Sequence, residues 1–347
     1  MKRSALALLL LAAGCADHMP REAAFPAGDA TASVSLAATQ LGQLEPVRDS
    51  TRRIMLAVWK ELHAADGAGE LAKINRMAGS YRLQVSHSTF RLLDLAHYYG
   101  QLTGNAFDLT VAPLLEAWGF GDIPPDGEPS GEILSAILDL VGPHHVQFSE
   151  QGAVSILTPG TQLAAGPLVY AYGVDLAVLD ARNREIPNLL VRWKDSARAE
   201  GNPTPETGWR VPVRDPFANA PLGEVDLSPR AALAIVGLYD RTITLGNRRY
   251  GGIMDPRTGR PAEGAALVAV RGPTCTMAHA LAQALVVLGP EEGVEIMRAF
   301  PDCEALLVPD RRPLECWMTP GWAEHFTLNP AHAAAARVWT VEREPAE

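Results

Sequence analysis

The chain has 347 residues, 47% of them apolar, which is enough to bury a sizeable core. Against 30 Lys and Arg stand 40 Asp and Glu, a formal net charge of −10. That balance argues against a nucleic-acid partner and against charge-driven binding to anionic lipid.

The N-terminus places Met1-Lys2-Arg3 before an apolar run from Ala5 to Leu11, then Ala12-Ala13-Gly14-Cys15. A positive start, a short apolar stretch and small residues before a cleavage point describe a secretory signal, and a bilayer span needs about 20 apolar residues. Leu11 to Cys15 resembles a bacterial lipobox, so Cys15 is expected to carry lipid and to anchor the exported chain on the periplasmic side of a membrane. Asp17 follows Cys15 only after Ala16, which leaves inner and outer membrane both open. Without Lys2 and Arg3 the net charge becomes −12, from 28 basic and 40 acidic residues. We read 1–14 as signal peptide, 15–42 as lipidated Cys and flexible tether, 43–330 as the folded domain and 331–347 as a C-terminal tail. No later segment is apolar for long enough to span a bilayer.

Helical spacing of Ile54, Val58, Trp59 and Leu62 predicts a helix over 45–64. A second is expected over 86–102, stopped by Gly104, and a third begins at Ser130 and ends before Gly142-Pro143. Strands are predicted over 146–148 and 153–157, then 189–193, 209–214, 223–227 and 266–270. Met277 to Leu288 is strongly helix-prone and closes at Gly289-Pro290, with a further helix over 292–300. Strands and helices intersperse without strict βαβ alternation, so the class is α+β. Besides Cys15 there are Cys275, Cys303 and Cys316, and their spacing matches no zinc site. Cys303 and Cys316 flank the turn Pro309 to Pro313 and are placed to pair across a hairpin.

The most specific string is Gly104-Asn105-Ala106-Phe107-Asp108-Leu109-Thr110-Val111-Ala112-Pro113-Leu114-Leu115, followed by Trp118-Gly119-Phe120-Gly121. It resembles the GxFDxTVxPLxxxWGF signature of the ApbE family of flavin-transferring bacterial lipoproteins. Ile253-Met254-Asp255-Pro256-Arg257-Thr258-Gly259-Arg260-Pro261 is similar to that family's I-x-D-P-x-T-G-x-P segment. Glu70 to Asn75 and Trp209 to Pro216 sit where the family has two further motifs, and the order holds from about residue 45 to 310. The resemblance implies one α+β domain that binds FAD, uses Mg²⁺ at its pyrophosphate, and passes FMN to a Thr or Ser of a target protein with release of AMP. In such a transfer the divalent ion neutralises charge on phosphate oxygens, and hard oxygen ligands suit it.

Against that pattern the chain departs at several points. The family's metal-binding A-D-A-x-A-T reads Ala278-His279-Ala280-Leu281-Ala282-Gln283, placing His279 at the Asp position and Gln283 at the Thr position. Residues four apart share a helix face, but a neutral imidazole is a poor Mg²⁺ ligand. Tyr170 stands where the family has Lys, while Tyr172 and Asp175 persist. The N-x-G-G-D turn becomes Arg192-Trp193-Lys194-Asp195-Ser196, replacing glycines that permit close approach and positive φ. Asp240 is what remains of T-S-G-D-Y, and Gly251 or Gly252 replaces the His before the I-x-D-P string.

Asp108, Thr110, Tyr172, Asp175, Asp255 and Thr258 are therefore the candidate flavin-site residues, and Tyr170 and Asp240 hold the positions nearest the family's chemistry. For Asp108, Thr110, Asp255 and Thr258, turn and cap hydrogen bonding is the favoured role; Trp118 and Phe120 read as core. The function expected is an exported ApbE-like lipoprotein with FAD as its ligand but little or no Mg²⁺-dependent transfer, partnered by a flavin-acceptor or redox protein. The alternatives are an active transferase in which Arg192, Lys194 and Arg257 supply the positive charge, and a structural envelope lipoprotein.

Overall fold

A nine-stranded sheet runs in simple chain order: β1 (Arg21–Ala27), β2 (Ala30–Leu36), β3 (Leu189–Trp193), β4 (Ser196–Glu200), β5 (Arg230–Gly237), β6 (Leu267–Gly272), β7 (Glu304–Val308), β8 (Cys316–Met318) and β9 (Ala336–Val338). Every neighbouring pair is antiparallel except β8 and β9, which are parallel. The computed structural model describes residues 19–63, 67–121, 125 and 127–341, so the signal peptide read over 1–14 and the lipidation site Cys15 lie outside the described residues. Among the described residues no helix is long and apolar enough to cross a membrane.

The helices are α1 (Leu44–Leu62), α2 (Glu70–Arg76), α3 (His87–Leu102), α4 (Ala112–Ala117), α5 (Gly131–Leu138), α6 (Leu168–Asn183), α7 (Cys275–Arg298) and α8 (Pro320–His325). Strand periodicity divides the core between the two faces of the sheet. On β5, Ala234 and Val236 join Val268, Val270 and Leu307 under α3, α6 and α7. The alternate residues Leu233 and Ile235 join Leu267, Ala269 and Leu306 on the other face, covered by a three-stranded sheet of residues 210–214, 221–226 and 326–328. The chain is thus one α+β domain, as the interspersed pattern predicted. The helix expected to start at Ser130 is capped there, Ser130 Oγ accepting from Ile133 N at 3.3 Å, and Ser86 Oγ likewise accepts from Thr89 N at 3.3 Å. The two helices expected on either side of Gly289-Pro290 join end to end in α7, which kinks where Gly289 turns to φ +69°.

Two boundary expectations and one disulfide need correction. The tether read over 15–42 contains β1 and β2, and Val34 and Leu36 are fully buried against β3 and α1. Its turn admits only glycine at Gly28 (φ +58°), because a Cβ there would lie 2.5 Å from the Trp59 ring. The tail read over 331–347 contains β9, and Trp339 is buried with its Nε1 donating to Pro290 O at 3.0 Å. The expected pairing of Cys303 with Cys316 does not form. Cys303 packs under α7 with its Sγ 3.6 Å from Met277 Sδ, whereas Cys316 lies in the core on the opposite face of the sheet. A disulfide needs the two Cβ atoms within about 4.5 Å, and the sheet stands between them.

Candidate functional site

The start of α7 is held by one carboxylate. Asp175 on α6 accepts from Cys275 N at 2.9 Å, Thr276 N at 2.8 Å and Thr276 Oγ1 at 2.7 Å. Arg198 of β4 closes the other side with an ion pair of 2.7 Å, and both side chains are only 12% exposed. An anion at a helix N-terminus satisfies open N–H groups and meets the positive end of the helix dipole. Asp175, a candidate flavin ligand by sequence, is therefore committed to this joint. Around it, burial raises the Tyr99 hydroxyl to about 12, with the Asp175 charge adding to the effect and a Thr274 hydrogen bond opposing it. Burial likewise raises Tyr172, opposed by Ser88 and Arg91. Both phenols stay protonated at neutral pH.

One turn beyond Cys275 along α7 is His279. It is 4% exposed, its Nε2 has no hydrogen-bond partner, and burial alone lowers its pKa from 6.5 to about 4. The imidazole is thus neutral, with no carboxylate close enough to pull its pKa back up. Gln283 follows one turn later, half-buried. These two side chains and Asp175 share the α6–α7 region.

The other candidates stand elsewhere. Asp108 caps the short turn of residues 109–111, its Oδ1 accepting from Thr110 N and Oγ1 at 2.8 Å each, and Thr110 Oγ1 accepts from Gly142 N at 2.7 Å. Burial raises the pKa of Asp108, and its Oδ2 is buried without a partner. Asp255 closes its own turn, accepting from Arg257 N, Nε and Nη2, while Thr258 Oγ1 accepts from Arg260 N at 3.3 Å. The cap and turn roles favoured for these four residues are therefore the ones they fill. Trp118 and Phe120 are core, as predicted, with Trp118 Nε1 donating to Gly259 O at 2.8 Å.

Tyr170 turns away from α7: its hydroxyl donates to Asp29 Oδ1 at 2.8 Å in the β1–β2 turn, and its ring meets Trp193 edge-on. Lys194 lies over the same ring at 4.7 Å and reaches Asp29 at 3.4 Å. Lys194 adopts φ +51°, in the left-handed region that favours glycine. At Gly252 a Cβ would come within 3.2 Å of both Phe120 and Arg241, which fill the space beside that backbone. Arg257 pairs with Asp255 and Glu292. Asp240 follows the end of β5. It accepts from Gly237 N at 2.9 Å and pairs with Arg214, which also holds Asp195, and it lines a cavity of about 510 Å³. Burial opposes the Arg214 charge, but Asp195 and Asp240 together raise its pKa. The sequence reading missed the rest of that cavity, because its walls come from segments far apart in the chain.

A sequence model of the ApbE family matches residues 29–307. The chain belongs to the ApbE family. It is 27% identical over 302 residues to the FAD:protein FMN transferase of Vibrio cholerae, covering 85% of this chain and 90% of that protein. The corresponding protein of Treponema pallidum is 29% identical over 265 residues, 70% of this chain and 71% of its own length. The Pseudomonas stutzeri flavinyl transferase ApbE superposes with a TM-score of 0.78 at 23% identity, over 89% of this chain and 98% of that one. A histidine-to-glycine variant of the Vibrio cholerae flavin transferase ApbE gives 0.77 at 24%, over 88% and 99%. The last two likenesses establish the fold.

Mg²⁺, which the resemblance brings with it, does not fit the residues at this chain's α7 face. A neutral imidazole and a carboxamide offer no anion, and Mg²⁺ prefers carboxylate, carbonyl and water oxygens. Asp175, the nearest acid on the joint, already has four donors. Among the described residues no three His, Cys, Asp or Glu side chains gather in a way that could hold a metal.

Burial of His279 has a consequence for stability. With its folded pKa lowered to about 4 from 6.5, the unfolded chain binds the extra proton first as pH falls. Its contribution is therefore complete above about pH 6.5 and is lost on the way down to about pH 4, amounting to roughly 3 kcal/mol. Denaturant titrations across that range should show the fall, and His279→Leu should flatten it; an unchanged slope in the variant would show that other groups titrate.

Proposed function

We propose that this ApbE-family protein is exported, held to a membrane by lipid on Cys15, and binds flavin without Mg²⁺-dependent FMN transfer at an ordinary family rate. It then serves envelope flavoproteins as an accessory, with a flavin-acceptor or redox protein as its partner. The observation that carries the reading is His279: a buried, neutral side chain with an unpartnered Nε2 stands where the family's Asp belongs. Without a fixed anion a metal would lose its main attraction, and the departing AMP would lack the charge that steadies it. Two further changes support the same reading. Tyr170 is tied to Asp29, and the space next to Gly252 is taken by Phe120 and Arg241, so neither position presents the group the family has there. The family match and the retained Tyr172 and Asp108 support a flavin ligand.

Incubated with FAD, Mg²⁺ and a flavin-acceptor protein, the soluble form lacking residues 1–15 should leave the acceptor without covalent fluorescence on a denaturing gel. Labelling at the rate of an ordinary family member would overturn the proposal and establish the active transferase. Absence of any FAD binding by calorimetry would leave a structural lipoprotein instead. Cys15→Ser should move the full-length protein from the membrane to the soluble fraction; continued membrane partition of that variant would remove the lipid anchor.

A further inference from the structure

β1 is an edge strand of the main sheet, and it begins at Arg21. Six peptide steps separate Arg21 from Cys15, a reach of about 20 Å at full extension. A lipid on Cys15 therefore leashes one corner of the molecule. That corner is made by the start of β1, the end of β2 and the α6–β3 connection, where Ala37 N donates to Asn188 O at 3.3 Å. β9 forms the other edge of the sheet, and the eight spacings between nine strands amount to about 40 Å. Standing on β9 would lift β1 that far from the headgroups, beyond the reach of the leash.

The β1 edge also has the chemistry of a surface that meets lipid rather than another chain. Met19, next but one before the strand, is 62% exposed. Phe25 and Ala27 are buried with α1, while Glu22, Ala24 and Pro26 are exposed. Pro26 lacks an N–H, which blunts the edge against an added strand. Charge at this corner is largely matched: Arg21 is followed by Glu22, Arg184 pairs with Asp180, and Arg182 with Glu200. Attraction to anionic lipid is therefore not what holds the corner down.

We propose that the β1 edge is the membrane-facing surface of this protein. The lipidated chain stands on that corner, with Met19 at the headgroup boundary and β9 directed away from the bilayer. The proposal rests on the lipid at Cys15. α7 packs on β5 and β6, midway across the sheet, so the ligand face is presented at a set height above the membrane instead of being swept through the periplasm.

The test uses the mature, lipidated full-length protein in vesicles of neutral phosphatidylcholine. Cys275, Cys303 and Cys316 are buried, so one cysteine added at the surface takes a thiol-reactive dye. Glu22→Cys and Val338→Cys place it on β1 and on β9, both at exposed positions. Energy transfer to an acceptor on lipid headgroups should be at least about threefold more efficient from Glu22→Cys than from Val338→Cys. High salt should leave that ratio unchanged. Inserting about 20 Gly and Ser residues after Ala16 frees the leash, and the ratio should fall towards one. The proposal is overturned if the two labels transfer equally in the vesicle-bound parent, if Val338→Cys transfers more, if salt abolishes the difference, or if the insertion leaves it intact. A parent that fails to float with the vesicles would remove the lipid anchor itself, an outcome distinct from a bound protein without preferred orientation.

Discussion

The geometry of this protein depends on a single buried carboxylate at the head of a helix. Asp175 joins α6, which carries it, to the first turn of α7 and, through Arg198, to β4 in the middle of the sheet. Removing either partner of such a pair leaves an uncompensated buried charge, so the joint is costly to break and fixes α7 in rotation as well as position. His279 and Gln283 emerge where they do because that joint sets the helix. A side chain that positions the site so firmly is no longer free to bind a ligand directly.

Electrostatics then separates scaffold from chemistry. Lys194 turns to φ +51° and is drawn to Asp29 and the face of Tyr170. The region next to Gly252 is packed by Phe120 and Arg241, and His279 is buried without a counter-charge. Each substitution is accommodated by specific neighbours, and restoring one family side chain alone would meet those neighbours. The fold survives because its packing is separate: the alternating faces of β5 and β6 bury aliphatic side chains on both sides of the sheet.

Much of this was legible in the sequence, and the failures have physical reasons. α1 and α3 are amphipathic and show their period openly, whereas α6 is buried through almost all of its first half and displays no stripe to detect. β5, Arg-Ala-Ala-Leu-Ala-Ile-Val-Gly, is buried on both faces and Ala-rich, so it lacks alternation. The β1–β2 hairpin is built from small residues and resembles linker, yet small side chains are what allow Trp59 and Trp193 to pack beneath it. That His279 and Gln283 follow one another on one helix could be read directly, because helical spacing needs no tertiary information. The turn between Cys303 and Cys316 was visible too, but which face each sulfur takes was not.

The proposed lack of a cation site on α7 can be tested without any turnover. Mn²⁺, a spectroscopic stand-in for Mg²⁺, gives a six-line paramagnetic resonance spectrum that weakens when the ion is immobilised. With FAD present, adding this protein should leave that spectrum at the intensity seen with FAD alone. A saturable loss of signal at stoichiometric protein, abolished by His279→Leu, would contradict the absence of a cation site on α7.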